Sequence, residues 1–170
     1  MLSLLAFAAA LAATAPASAT SPSPPPIRFT GETTDGKSLE VPDEARGRIL
    51  VLVVGFTQNS AKATTQWSEA LDAGLGQRVA VVAVAVLDKV PGLFRTFVKH
   101  AIDKDVGPPQ PGHGSFVTTF DGRALRAGAP AGNADDPVIY VFRPDGSLAS
   151  VARTPYSAGA VSELERSLPE

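Results

Sequence analysis

The side chains that could carry out chemistry in this sequence are hydroxyls, amides, carboxylates and two histidines, because the chain contains no cysteine. Four polar residues, 57–60 (TQNS), follow an apolar run and precede an amphipathic one. A serine or threonine hydroxyl becomes a nucleophile only beside a positioned base. The two histidines, His100 and His113, are the candidate bases, and they are too few for the three or four ligands of a zinc site. The sequence therefore predicts no metal and no cofactor.

Overall composition excludes several classes of function. Without cysteine the protein cannot form disulfides, thiolate metal ligands or a thiol nucleophile. The net charge is -2, the pI is about 5.7, and lysines and arginines are scattered along the chain. Such a chain has no overall basic field for nucleic acid or anionic lipid. We therefore expect no nucleic-acid partner.

The N-terminal segment resembles an export signal. Residues 1–13 are almost wholly apolar, and Ala17-Ser18-Ala19 fits the small-x-small rule of a signal-peptidase site. The run is shorter than the roughly 20 residues that a membrane span needs. We predict a signal peptide over 1–19, no membrane span after its cleavage, and a periplasmic or secreted protein. An uncleaved anchor is the alternative.

A proline-rich stretch separates this segment from a single folded domain. Residues 20–26 (TSPSPPP) form a polyproline-type spacer that cannot join a sheet or a helix. We place the domain over 27–170, with no second linker inside it.

Hydrophobic patterns predict the elements that must position the polar residues. Two continuous apolar runs, 49–56 and 79–87, are typical of strands buried on both faces, and 60–75 between them predicts a helix. This order implies parallel strands with a right-handed crossover. Helical spacing of apolar residues also predicts a helix over 90–106, with Pro91 in its first turn.

The flanking segments predict hairpins and a closing helix. Asp35-Gly36 indicates a turn between two short strands near 29 and 39–41, and Pro144-Asp145-Gly146 joins strands 138–142 and 147–153. A further strand is expected over 116–120. Ser157 is placed to cap a final helix. The fold class is therefore α/β with a mixed sheet.

Several of these motifs resemble the redoxin, peroxiredoxin-type branch of the thioredoxin-like superfamily. The resemblance rests on the Asp35-Gly36-Lys37 turn before a buried strand that ends in Phe56-Thr57, on Trp67 in the next helix, and on Asp136-Pro137 followed by the Asp145-Gly146 turn. It implies a three-layer α/β/α sandwich with a mixed central sheet and an N-terminal hairpin. It also implies that Asp136-Pro137 is a cis peptide bond.

The resemblance places the redoxin reactive cysteine at the polar segment described first, which makes this chain a cysteine-free member. We take five residues as a candidate ligand- or partner-binding site: Thr57, Gln58, Asn59, Ser60 and Pro137. Asn59 or Ser60 is expected to cap the free N–H groups of the helix, and ligand binding at that helix end is the alternative. Asp135-Asp136 is expected to belong to a turn.

A second resemblance bears on function. Pro91, Arg95 and His113 compare with a Pro/Arg-containing helix and a His-containing loop in the thioredoxin-like assembly factors of mitochondrial ATP synthase, which implies an assembly role. We predict a non-catalytic exported binding or assembly protein, without thiol redox activity, whose partner is another envelope protein. The alternatives are an enzyme of a non-thiol class using Ser60, Thr57 or a histidine, and a redox-inactive subunit that docks on a thiol protein. Phe94, Phe97 and Trp67 are expected in the core.

Overall fold

The computed structural model describes residues 27–43, 46–75, 78–108 and 114–169. The predicted signal peptide, the spacer and His113 lie outside these ranges. In the described part the strands are β1 (Phe29–Thr33), β2 (Ser38–Val41), β3 (Ile49–Gly55), β4 (Val79–Val86), β5 (Ser115–Thr119), β6 (Val138–Phe142) and β7 (Leu148–Arg153). The helices are α1 (Ala61–Leu75), α2 (Arg95–Val106), α3 (Arg123–Gly128) and α4 (Ala158–Ser167).

The seven strands form one mixed sheet in the order β2-β1-β5-β4-β3-β6-β7. β3 pairs in parallel with β4, with Val51 opposite Val81, and β4 pairs in parallel with β5. β6 runs antiparallel to β3 and to β7, while β1 runs antiparallel to β2 and β5. The predicted parallel pair, both hairpins and the mixed sheet are confirmed.

One face of the sheet is covered by α1, α2 and α4. Because β3, β4 and β5 are parallel neighbours in that order, right-handed connections place α1 and α2 on the same side. Trp67 and Leu71 of α1 and Val161 of α4 are buried here against alternate residues of β3, β4 and β6. The prediction that Trp67 belongs to the core is confirmed. Ser157 caps α4 as predicted, since its Oγ accepts the N–H of Ala160 at 3.1 Å.

The opposite face is covered by the short helix α3 and by the segment that enters β1. Leu125 of α3, Ile27 and Phe29 are buried against the other set of strand residues. Tyr140 of β6 ties α3 to the sheet, because its hydroxyl donates a hydrogen bond to the carbonyl of Leu125. Burial raises the pKa of the Tyr140 phenol to about 12, so the hydroxyl remains a donor at neutral pH. The three-layer arrangement is therefore confirmed.

The predicted helix over 90–106 differs from the observed one. A 3₁₀ turn over Gly92–Phe94 precedes α2, which begins at Arg95 and buries none of its residues. The core placement of Phe94 and Phe97 is wrong, because their side chains are 57% and 74% exposed. α2 lies near the sheet edge, and its partly buried Lys99 forms an ion pair with Glu32 of β1. A charged contact thus takes the place of the expected apolar packing.

The predicted cis bond at Asp136-Pro137 is also wrong. Among the described residues the cis peptide bond is Val41-Pro42. A trans X–Pro bond is favoured by about 0.5–1 kcal/mol unless the surroundings select the other isomer. In the trans arrangement, the Asp136 carbonyl accepts a hydrogen bond from Arg153 Nη1 at 3.0 Å.

Candidate functional site

The segment that connects β3 to α1 is closed by reciprocal hydrogen bonds between two hydroxyl residues. The Thr57 N–H donates to Ser60 Oγ at 3.3 Å, and the Ser60 N–H donates to Thr57 Oγ1 at 3.2 Å. The Ser60 hydroxyl in turn donates to the Thr57 carbonyl at 2.7 Å. Thr57 and Ser60 therefore close the turn that leads into α1, because each side-chain oxygen accepts the backbone N–H of the other residue.

Ser60 is completely buried, with 0% of its surface exposed. A Cβ placed on Gly55 would lie 2.8 Å from Ser60 Oγ and 2.9 Å from Thr64 Oγ1, which shows how tightly these hydroxyls fill the space beside β3. Thr64 donates to the Ser60 carbonyl at 2.9 Å. A hydroxyl in this position cannot reach a substrate. The structure therefore argues against Ser60 as a nucleophile.

A carboxylate that the sequence did not single out for this site completes it. Asp135 accepts a hydrogen bond from Thr57 Oγ1 at 2.7 Å on one oxygen and from Asn59 Nδ2 at 3.2 Å on the other. Sequence reasoning placed Asp135 only in a turn. That turn is present, since the Asp135 N–H donates to Asn133 Oδ1 at 3.2 Å. The contact with Thr57 joins residues 78 positions apart, and no local pattern signals it.

Arg153 fixes the loop that carries Asp135. Its guanidinium donates to the carbonyls of Pro130 at 2.9 Å, Asn133 at 3.0 Å and Asp136 at 3.0 Å. Hydrogen bonds from a charged donor are stronger than neutral ones, so three of them hold the loop against β7. Arg153 also lies over the ring of Phe56, with 5.8 Å between Cζ and the ring centroid. The carboxylate of Asp135 is thereby held in place beside α1.

A second arginine borders the same edge of the sheet. Arg126 of α3 also lies over the ring of Phe56, with its Cζ 4.8 Å from the ring centroid. It binds Asp88 with two hydrogen bonds, Nε to Oδ2 at 2.7 Å and Nη2 to Oδ1 at 2.8 Å. The hydrogen bonds from Arg126 hold the pKa of the Asp88 carboxyl below its usual range. This pair connects the end of β4 to α3.

The structure brings most of the predicted site residues to one edge. Val138 pairs with Val54, so Pro137 lies beside the end of β3, next to the Thr57 turn. Gln58 is exposed at the tip of that turn, and Asn59 is exposed beside Asp135. His100 is exposed on α2 and does not belong to this edge. Within the described ranges no three potential metal ligands cluster.

A separate cleft of about 670 Å³ lies on the helical face. Its walls come from α1, from the end of α2 and from β5, and they carry the carboxylates of Glu69, Asp72 and Asp105. Asp72 Oδ2 accepts the N–H of Gly114 at 2.6 Å. Because residues 57–60 and 135–137 do not line it, the cleft and the α1 turn are distinct features.

Structural comparison identifies the architecture that these contacts build. The chain superimposes on the exposed lipoprotein thioredoxin Etrx1 of Streptococcus pneumoniae with a TM-score of 0.59 and 14% identity, over 83% of this chain and 99% of that one. The chain has the thioredoxin-like fold. A DsbF homologue of Corynebacterium diphtheriae matches with a TM-score of 0.58 and 20% identity, over 85% and 86% of the two chains.

Another thioredoxin-like relative in structure is BsSco, described as a member of the Sco family of cytochrome c oxidase assembly proteins. It matches with a TM-score of 0.51 and 14% identity, over 82% of this chain and 90% of that one. No protein-family model and no curated protein sequence matches the chain. Among the described residues, no helix has the length and apolarity that a membrane crossing requires.

Proposed function

We propose that this thioredoxin-like protein is a non-catalytic, exported binding or assembly protein that contacts another envelope protein through the edge formed by Thr57, Gln58, Asn59 and Asp135, with Pro137 buried beside it. The observation that supports this most is the closed turn before α1. There, where the redoxin resemblance places a reactive cysteine, Ser60 is buried and its hydroxyl is bonded to Thr57.

The Thr57 hydroxyl, which lies at the same edge, is also a poor nucleophile. The Thr57 Oγ1 hydrogen is directed at Asp135 Oδ1 at 2.7 Å, so a carboxylate is the nearest base. A carboxylate is far too weak a base to remove the proton of an alcohol in the ground state. The pair is better suited to fixing the shape of the surface than to bond making, which favours a binding protein over the alternative of a Ser60 or Thr57 enzyme.

The same contacts leave polar groups at the surface that can recognise a partner. Gln58 presents an exposed amide at the tip of the turn, and Asn59 presents part of its amide beside the Asp135 carboxylate. Both lie on a rigid support, because Arg153 fixes one side of the edge and the start of α1 fixes the other. Preorganised polar groups of this kind lower the ordering cost of association.

Two structural relatives occur in settings that fit this proposal. Etrx1 is described as an exposed lipoprotein and BsSco as a member of an assembly-protein family, so the fold occurs in both settings. The apolar segment 1–13 and Ala17-Ser18-Ala19 support export of this chain. The substitution of the thiol position by polar residues supports a role that does not require redox chemistry.

Site-specific photo-crosslinking in the native envelope tests the proposal. A photoreactive residue at exposed Gln58 should give one discrete adduct with an envelope protein. The same residue at Glu163, which is exposed on α4 and remote from the site, is the matched control and should not give that adduct. Identical adducts from both positions, or none from Gln58, would contradict the proposed site.

Activity assays separate the binding role from the enzymatic alternatives. The purified protein should neither reduce disulfides nor consume peroxide above background, since both reactions need a thiolate. Turnover of an ester or peptide that disappears in the Thr57→Val variant would instead support the non-thiol enzyme. The crosslinking result and the assay result can differ, so each part of the proposal can fail separately.

A further inference from the structure

Helix α2 is less embedded than the other helices that the structure describes. The helices α1, α3 and α4 each bury at least one residue, whereas α2 buries none. Val98 and Ile102 of α2 are only partly covered, and neither belongs to the apolar clusters on the two faces of the sheet. Segments with few buried apolar contacts open locally at a lower free energy than the remainder of a fold.

One ion pair joins α2 to the sheet within the described ranges. Lys99 Nζ lies 3.1 Å from Glu32 Oε1 on β1, and its second partner, Asp103, belongs to α2 itself. Arg95 adds a contact near the start of the helix, with its Cζ 4.9 Å from the centroid of Phe120. An ion pair contributes less to stability than the burial of a large apolar side chain. The attachment of α2 therefore depends on a charged contact that salt weakens.

Glycines flank α2 on both sides. Gly92 begins the 3₁₀ turn that precedes the helix, and Gly107 follows its last residue with a φ of +80°. A Cβ on either glycine would meet no atom of the described residues within 4 Å. The backbone at both positions has free space around it, which suits a hinge.

The C-terminal end of α2 forms one wall of the cleft of about 670 Å³. Residues 105–107 line the cleft from this side, and Thr34, two residues after Glu32, lines it from the end of β1. The facing wall belongs to α1, which is fixed by the buried Trp67. A movement of α2 away from the sheet would therefore widen the cleft.

We infer that α2 is a hinged wall of this cleft, which leaves the sheet as a unit between Gly92 and Gly107 when the Lys99–Glu32 ion pair breaks. Access to the cleft from solution then depends on the strength of one charged contact, and ionic strength controls it. The inference concerns the cleft and does not depend on the partner-binding edge at Thr57.

Hydrogen exchange of the full chain measures the opening. α2 has twelve residues and no side-chain cap at its start, so its amides should exchange once it leaves the sheet, because so short a helix is marginal in water. Glu32→Gln removes the charge that holds Lys99, and it should raise the exchange rates of the α2 amides about three- to fivefold without changing those of α1. Glu40→Gln is the matched control, since Glu40 is exposed on the edge strand β2, and it should leave both helices unchanged. Added salt should speed exchange of α2 in the wild type and have a smaller effect in Glu32→Gln.

Thiol labelling tests whether the same opening widens the cleft. The chain contains no cysteine, so Ala83→Cys supplies a single reporter in the lining of the cleft, where Ala83 is only 5% exposed. Adding Glu32→Gln should raise the alkylation rate of this reporter by the same factor of about three to five. Val54→Cys, which is buried on the opposite face of the sheet, is the control and should not respond.

Unchanged exchange of α2 in Glu32→Gln would overturn the inference, and so would an equal increase for α1, which would indicate global unfolding. Faster exchange without faster labelling of Ala83→Cys would show that α2 unwinds in place, and this result would also overturn the hinged wall. If Ala83→Cys does not fold, Phe116→Cys, which also lines the cleft, replaces it with the same expected results.

Discussion

Helices α1 and α2 occupy equivalent places in the chain but are held by different forces. Each connects two adjacent parallel strands on the same face of the sheet. α1 buries Trp67 and Leu71 in the core, whereas α2 buries none of its residues. Lys99 of α2 forms one ion pair within the helix, with Asp103, and one that reaches β1, with Glu32. Apolar burial thus fixes α1, whereas an ion pair with β1 holds α2.

The charges that hold α2 are partly shielded from water. Burial favours the neutral form of Lys99, but hydrogen bonds to Asp103 and Glu32 outweigh this effect and raise the pKa of the ammonium group. Its side chain is 15% exposed, which allows these pairs to act more strongly than ordinary surface pairs. The comparison shows that an amphipathic pattern identifies a helix without identifying what covers its apolar face.

The largest effect should come from removing the principal side chain of α1. Trp67→Ala should lower the free energy of unfolding by about 3–5 kcal/mol, because it deletes a fully buried indole and leaves a cavity. Phe97→Ala is the matched control on α2 and should change that free energy by less than about 0.5 kcal/mol. Urea unfolding measures both. Similar losses in the two variants would remove the distinction between the helices.

An intermediate effect is expected at the closed turn before α1. Ser60→Ala should lower the free energy of unfolding by about 1–3 kcal/mol, because the partly buried Thr57 N–H loses its acceptor and the buried Ser60 hydroxyl is removed. Ser68→Ala, on the exposed part of the same helix, should cost less than about 0.5 kcal/mol. Thermal unfolding followed by circular dichroism measures both changes. A neutral Ser60→Ala variant would show that the hydrogen-bonded turn is dispensable.

The smallest effect should be a pH dependence near the start of α2. The pKa of Asp88 lies below its ordinary value of 3.8, so the pair with Arg126 contributes stability above that pH. This contribution is lost as the pH falls below 3.8 and through the lowered pKa of the folded state. Asp88→Asn should lower the free energy of unfolding by about 1 kcal/mol at pH 7. Between pH 5 and pH 3, the free energy of unfolding should fall less in this variant than in the wild type. Urea unfolding at the three pH values measures both. Parallel pH profiles for the two proteins would contradict this assignment.

The elements were predictable where one local force dominates. The continuous apolar runs predicted strands at 49–56 and 79–87, and the structure has β3 over Ile49–Gly55 and β4 over Val79–Val86. The predicted helix at 60–75 corresponds to α1 over Ala61–Leu75. α3 was missed, because a six-residue helix that follows one glycine and ends on another is too short to show a helical period.

The candidate site was predictable only in part. Chain order and the redoxin resemblance located Thr57 to Ser60 at the start of a helix, but the hydrogen bonds that use these residues depend on Asp135, 78 positions after Thr57. The exposure of Phe97 could not be predicted from the sequence either, because helical spacing indicates which residues share a face and not which neighbour packs against that face. Contacts between distant segments account for both failures.

The fit between Gly55 and Ser60 limits the chemistry that a thiol at position 60 could perform. A cysteine at position 60 would place a larger sulfur atom where the Ser60 oxygen already leaves no room for a Cβ on Gly55. The helix N-terminus would favour its thiolate, but complete burial works in the opposite direction and raises the pKa. One codon change would therefore not create reactive thiol chemistry at that position. Redox function there would require coordinated changes at several residues.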